Sequence, residues 1–147
     1  MTDTLRAVLD AKGHSVHAVE PRATVLDAVR MMNAERIGAL LVMDDEELVG
    51  IFTERDVLSR IVDQGRDPAE TRVAEVMTRR PVVVKAGATV EEAMAIVTEK
   101  RCRHLPVVDE DHLVGLVSSG DLTHWVTRNQ EYHIQDLVNF ITSKYPG

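Results

Sequence analysis

Two stretches of the chain carry one combination of side chains: Gly50-Ile51-Phe52-Thr53-Glu54-Arg55-Asp56 and Gly115-Leu116-Val117-Ser118-Ser119-Gly120-Asp121. Each reads glycine, two apolar residues, a hydroxyl, two further residues and an aspartate. The apolar pair ends a strand and the hydroxyl opens a helix, so the hydroxyl and the carboxylate sit one turn apart at a helix mouth. A helix N-terminus offers N–H groups without intrahelical partners and the positive end of a dipole, which suits a phosphate. Asp56 and Asp121, one turn on, have oxygens that accept hydrogen bonds from a vicinal diol such as that of ribose. A nucleotide brings both groups. The same spacing is also that of a capping box, in which Thr53 with Asp56 and Ser118 with Asp121 merely satisfy their own backbone. The residues alone leave both readings open.

The elements that carry these mouths come from a duplication. Displaced by 65 positions without a gap, the chain repeats itself: Ala23-Thr24-Val25 falls on Ala88-Thr89-Val90, and Leu48-Val49-Gly50 on Leu113-Val114-Gly115. Ala28, Arg36, Leu40, Val42, Asp44 and Asp56 likewise meet Ala93, Arg101, Leu105, Val107, Asp109 and Asp121. A copy of roughly 50 residues exposes too much surface to stand alone, so the two are expected to share an apolar face about a pseudo-two-fold axis.

Each copy reads β-α-β-β-α. Val16 to Val19 and Val82 to Val84 are β-branched runs read as strands. Thr24 and Thr89 then open helices with apolar residues at helical spacing. Ala39 to Met43 and Leu105 to Val108 are continuous apolar strands, turned by Asp44-Asp45-Glu46 and Asp109-Glu110-Asp111 into a second strand. Outside the repeat, Leu5 to Ala11 reads as a helix stopped by Gly13, and Pro68 to Val76 as a short helix. Ile134, Leu137, Val138 and Ile141 mark a terminal amphipathic helix. The expectation is an α/β (α+β) fold with units over 8–65 and 73–128 and a C-terminal helix over 129–147.

Composition narrows the function. With 17 Lys+Arg against 24 Asp+Glu, the net charge is −7, and no basic run offers a nucleic-acid backbone a partner. Aromatic residues are only 3% of the chain, so the core must be aliphatic and methionine-rich. The lone Cys102 excludes an internal disulfide and a multi-cysteine zinc site. No apolar run approaches the roughly 20 residues of a membrane span. Met1 to Thr4 lacks the features of a secretory signal, so a cytoplasmic location is expected. His104 and His124 lack metal-ligand spacing, and the acidic turns lack the alternating aspartates of a calcium loop. Arg101 and Arg103 flank Cys102 and would lower its thiol pKa, yet no base pairs with it, and no enzyme is expected.

The duplicated unit with its Gly-apolar-apolar-hydroxyl-x-x-Asp endings resembles a tandem pair of cystathionine β-synthase (CBS) domains, a Bateman module. The likeness spans about residues 8 to 128. It includes Val73-Ala74-Glu75-Val76-Met77-Thr78 before the second copy and Arg103-His104-Leu105-Pro106-Val107-Val108-Asp109 in its central strand. The resemblance implies a regulatory module with two clefts that take AMP, ADP, ATP, NAD or S-adenosylmethionine, a homodimer, and a regulated protein partner. Carried onto this chain, it gives Asp56 and Asp121 the ribose hydroxyls, and Thr53 and Ser118 the ribose or phosphate. Val16, His17 and Ala18, and Pro81, Val82 and Val83, would flank adenine. Ile37, Gly38 and Ala39, and Cys102, Arg103, His104 and Leu105, would form the opposite wall, with Arg103 at a phosphate. Arg55 reaches either a phosphate or an acid such as Glu54. Because Gly38 stands opposite Arg103, and Gly120 opposite Arg55, the two clefts are expected to be unequal.

Overall fold

The computed structural model describes residues 3–128, 138–139 and 141–142. The elements run α1 (Leu5–Lys12), β1 (Ala18–Val19), α2 (Val25–Glu35), β2 (Ala39–Asp44), β3 (Glu47–Thr53) and α3 (Glu54–Asp56). A π-helical segment, Val57–Val62, continues α3. Then come α4 (Val73–Val76), β4 (Thr78–Arg79), β5 (Val84–Lys85), α5 (Val90–Lys100), β6 (His104–Asp109), β7 (His112–Ser118) and α6 (Ser119–Thr127). Most of the C-terminal helix expected over 129–147 lies outside the described residues.

The repeat is written into the hydrogen bonding. β1 runs parallel to β2 with Val19 opposite Val42, and β5 runs parallel to β6 with Val84 opposite Val107. β2–β3 and β6–β7 are antiparallel hairpins whose registers slip at Val42/Met43 and at Val107/Val108. Thr24 Oγ1 accepts from Asp27 N–H at 3.1 Å and Thr89 Oγ1 from Glu92 N–H at 3.1 Å, so both long helices start where the threonines predict. Both end on an arginine in the left-handed region, Arg36 (φ 55°) and Arg101 (φ 53°), at a position that glycine usually fills.

Four details depart from the sequence reading. The first strand shortens to Ala18–Val19 in the first copy and moves to Val84–Lys85 in the second, where those residues pair with the neighbouring central strand. The helix expected over Pro68 to Val76 is confined to Val73–Val76. The helix after Thr53 is mostly π-helical, whereas its counterpart after Ser118 is α-helical. A strand not foreseen, β4, adds to β3 and makes the first sheet four-stranded, β1-β2-β3-β4, beside the three-stranded β5-β6-β7.

The two short helices outside the repeat are exchanged. Leu5 N–H donates to Ala88 O at 2.9 Å, and Leu5, Val8 and Leu9 of α1 complete the core of the second copy with Val90, Leu105, Val117 and Trp125. Correspondingly, Val73 N–H donates to Ala23 O at 2.8 Å, and Val73, Val76 and Met77 complete the first core with Val25, Leu40 and Phe52. Leu5 and Val73 are 68 positions apart, so Lys12 is the counterpart of Arg80. The repeated glycines make room for this docking. A Cβ on Gly115 would lie 2.6 Å from Leu9 Cδ2, and one on Gly50 would lie 2.6 Å from Met77 Sδ. Fully burying a side chain such as Leu9 is worth about 1.5–3 kcal/mol, so each core depends on a helix that lies outside its own repeat.

The copies meet on the other face of β2. Side chains alternate across a strand, so Leu40 and Val42 enter the first core while Ala39 and Leu41 face away. There they join Ile51, Val16 and Ala18 and pack with Leu113 and Leu116 of the second copy.

Candidate functional site

Both helix mouths are complete capping boxes. At the first, Thr53 N–H donates to Asp56 Oδ2 at 3.0 Å and Asp56 N–H donates back to Thr53 Oγ1 at 3.3 Å. At the second, Ser118 N–H donates to Asp121 Oδ2 at 2.8 Å and Asp121 N–H to Ser118 Oγ at 3.0 Å. The next N–H is also taken, Glu54 by Gly38 O at 3.0 Å and Ser119 by Arg103 O at 2.8 Å. Three N–H groups of each mouth are therefore satisfied within the chain, which corrects the expectation that they stand free for a phosphate. The cap fixes the carboxylate without exhausting it, because a carboxylate has about four lone-pair sites and the cap uses one oxygen.

Around the first mouth lies a cleft of about 1000 Å³ between the two copies. Its floor is Gly38, Ile51, Thr53 and Asp56 of the first copy. Its far side is Pro81, Val82, Cys102, Arg103 and His104 of the second. Thus Gly38, Thr53, Arg55, Asp56, Pro81, Val82, Arg103 and His104, widely separated in sequence, come together here. Asp56 is only 5% exposed, with Arg60 Nε 3.5 Å from its Oδ1. Arg60 is held in turn by the carbonyls of Val76 and Met77, at 2.9 and 3.1 Å. Arg55 forms no ion pair with Glu54; its residue lines the cleft beside Arg80, Lys100 and Arg101.

The other residues singled out from the sequence lie elsewhere. Val16, Ala18 and Ala39 belong to the apolar junction between the copies, Ile37 packs on the first core, and Leu105 is fully buried in the second. His17 Nε2 sits 3.8 Å from Glu35. Val83 lines a separate cavity of about 820 Å³ with Lys85, Glu92 and Asp109. Ser118 and Asp121 form the second mouth, which α1 covers. Lys12 Nζ donates to Asp121 Oδ2 at 2.6 Å and to Leu116 O at 2.8 Å, and His14 Nδ1 lies 2.9 Å from Val114 O. Lys12 and His14 were not foreseen. The 65-residue displacement does not align α1 with anything that marks them, and only the docked helix reveals their target.

The titrating groups respond to these surroundings. Burial pushes the Asp121 carboxyl up, but Lys12 and the Ser118 N–H together hold it below the usual aspartate range. Burial lowers the His104 pKa against the opposing pull of Glu54 and Asp121, so its neutral form is favoured. Burial raises the Cys102 thiol pKa, overriding the neighbouring cations expected to lower it.

Comparison with known proteins agrees with this architecture. The family described as CBS domain matches residues 6–63 and again 73–128. The mitochondrial CBS domain-containing protein CBSX3 of Arabidopsis thaliana is 34% identical over 97% of this chain and 73% of its own. A solved putative signal-transduction protein with CBS domains from Burkholderia ambifaria MC40-6 is 42% identical, with a TM-score of 0.84, over 86% of this chain and 96% of that one. The structure of CBSX2 in complex with AMP is 25% identical, with a TM-score of 0.72, over 87% and 98%. Two matched units, two small sheets and the exchange of flanking helices lead to one conclusion: this chain belongs to the CBS domain family and carries two CBS domains in tandem.

Proposed function

We propose that the chain is a regulatory sensor that reversibly binds an adenine nucleotide (AMP, ATP or NAD) in the cleft beside Thr53 and Asp56 and signals to a protein partner. The observation that carries this is the cleft itself: about 1000 Å³, with a buried, oriented carboxylate on one wall and Arg103 and His104 on the other. That volume reaches the upper end of ordinary small-molecule pockets, roughly 300–1000 Å³. The Asp56 carboxylate accepts from ribose hydroxyls, Pro81 and Val82 flank the base, and the cations meet phosphate. CBSX2, a relative of this fold, is known in complex with AMP. The ligand acts by its differential affinity for two arrangements of the copies, since only such a difference moves an equilibrium. The chain works as a homodimer through helical faces. Leu58 and Val62, each 67% exposed, and Val126 supply the apolar surface, and Leu58 also lines the cleft. The reading assigns no catalysis, and product chromatography after incubation with ATP or NAD tests that. Cytoplasmic residence belongs to the same proposal and is tested by fractionation.

Isothermal titration with AMP, ATP and NAD tests the reading: saturable heat with at least one, abolished by Asp56→Asn, supports it. A second reading, a ligand-free dimeric interaction module, is favoured by the two completed capping boxes. No heat with any of the three nucleotides would select it.

A further inference from the structure

The cleft concentrates positive charge in an acidic protein. Arg55, Arg60, Arg80, Lys100, Arg101 and Arg103 line it, against Glu54, Asp56 and Asp63. The rest of the chain carries 11 basic and 21 acidic residues, since the totals are 17 and 24. Arg60 is occupied by Asp56 and two carbonyls. Among the described residues, no side-chain hydrogen bond or ion pair engages the other five. All five residues are exposed. Lys100 and Arg101 close α5 and complement its dipole, but that role leaves Arg55, Arg80 and Arg103 without a structural task.

The duplication shows that the fold does not require this charge. In the repeat alignment the counterparts of Lys100, Arg101, Arg103, Arg55 and Arg80 are Glu35, Arg36, Gly38, Gly120 and Lys12. Five cations become two, an acid and two glycines, and Lys12 is already bound to Asp121. Five unpaired like charges gathered on one concave surface repel one another, and a cleft focuses their field onto whatever enters. The roughly three or four negative charges of a di- or triphosphate relieve that repulsion better than the roughly two of a monophosphate do.

We infer that this cleft is built for a nucleoside di- or triphosphate rather than a monophosphate, a dinucleotide or a sulfonium nucleoside, with its terminal phosphates among Arg55, Arg80, Lys100, Arg101 and Arg103. The inference rests on the nucleotide reading above and adds the ligand's charge class. Phosphate-directed binding also weakens with salt.

Titration of the full chain in EDTA with adenosine, AMP, ADP, ATP, NAD, GTP and tripolyphosphate tests it. Affinity is expected to rise about tenfold with each phosphate from AMP to ATP, and NAD to fall near AMP. In the Lys100→Ala/Arg103→Ala double variant, ATP loses at least about tenfold while adenosine is unchanged. Both residues are exposed, and circular dichroism confirms the fold. AMP or NAD binding within twofold of ATP overturns the inference and leaves the adenine reading intact. GTP matching ATP overturns the adenine reading and leaves the inference intact, whereas tripolyphosphate matching ATP shows that no nucleoside is recognised and overturns both. No binding by any of the seven overturns both.

Discussion

The two helix mouths are copies in sequence and opposites in circumstance. At the second, Lys12 lies on Asp121 at 2.6 Å and α1 covers the approach. At the first, Arg80, the sequence counterpart of Lys12, lines the cleft and leaves Asp56 to Arg60, and a broad basic cleft remains. The cause lies in the preceding element. Helix α1 has 8 residues and ends on Lys12, so its docking delivers the ammonium to Asp121. Helix α4 has 4 residues, after which the chain straightens into β4 and pairs with β3, carrying Arg80 to the cleft rim. A duplicated motif therefore specifies a duplicated cap, while the element laid across it decides whether the cap becomes part of an open site.

The sharpest way to break this comparison is to remove each carboxylate. Asp56 is buried, so Asp56→Ala leaves Thr53 N–H and Arg60 without their acceptor and should cost about 2–3 kcal/mol in urea unfolding. Asp121 is more exposed, and Asp121→Ala should cost about 1 kcal/mol. Equal costs would mean that the mouths are equivalent after all.

Next in size is the release of the second mouth. Lys12→Met removes a partly exposed ion pair, so stability should fall by less than about 1 kcal/mol. With Asp121 freed, calorimetry should show a second, weaker ATP equivalent per chain. A stoichiometry unchanged from wild type would show that α1 itself, and not its lysine, closes that mouth.

Smaller effects appear in the pH dependence. The folded-state pKa of Asp121 is depressed, so its contribution is present above the unfolded value near ~3.9 and lost as pH falls through the folded one. Lys12→Met should shrink that acid limb. His104 is depressed as well, so the folded protein binds fewer protons and loses stability as pH falls below about 6.5. His104→Gln should flatten that slope. His14 behaves oppositely: Asp10 and the Val114 carbonyl raise its pKa, so its contribution is present below about 6.5 and lost as pH rises through the folded value. The least of these effects is protonic. A phosphate chain beside His104 favours the imidazolium, so ATP binding near pH 6 should take up a fraction of a proton, read from calorimetry in two buffers of different ionisation enthalpy.

Much of the fold was legible because the information was local and written twice. The threonine caps at Thr24 and Thr89, the acidic hairpin turns and the 65-residue displacement all recur in the hydrogen-bond register. The cleft was legible in part: Thr53, Asp56, Arg103 and His104 come together because the β3–α3 junction of the first copy faces the α5–β6 junction of the second. What escaped was non-local. The exchange of α1 and α4, the addition of β4 to β3 and the engagement of Lys12 with Asp121 depend on where a short segment docks, and no periodicity records that. The cluster of cations was hidden for the same reason, since Arg55, Arg80 and Lys100 to Arg103 are scattered along a chain whose total charge is negative.

The most direct measurement is a crystal structure of the protein grown in saturating ATP. It should show one nucleotide in the cleft, its ribose at Asp56 and its phosphates among Arg55, Arg80 and Arg103, with Lys12 still on Asp121. Density confined to the second mouth, or a first cleft empty at that concentration, would contradict the account.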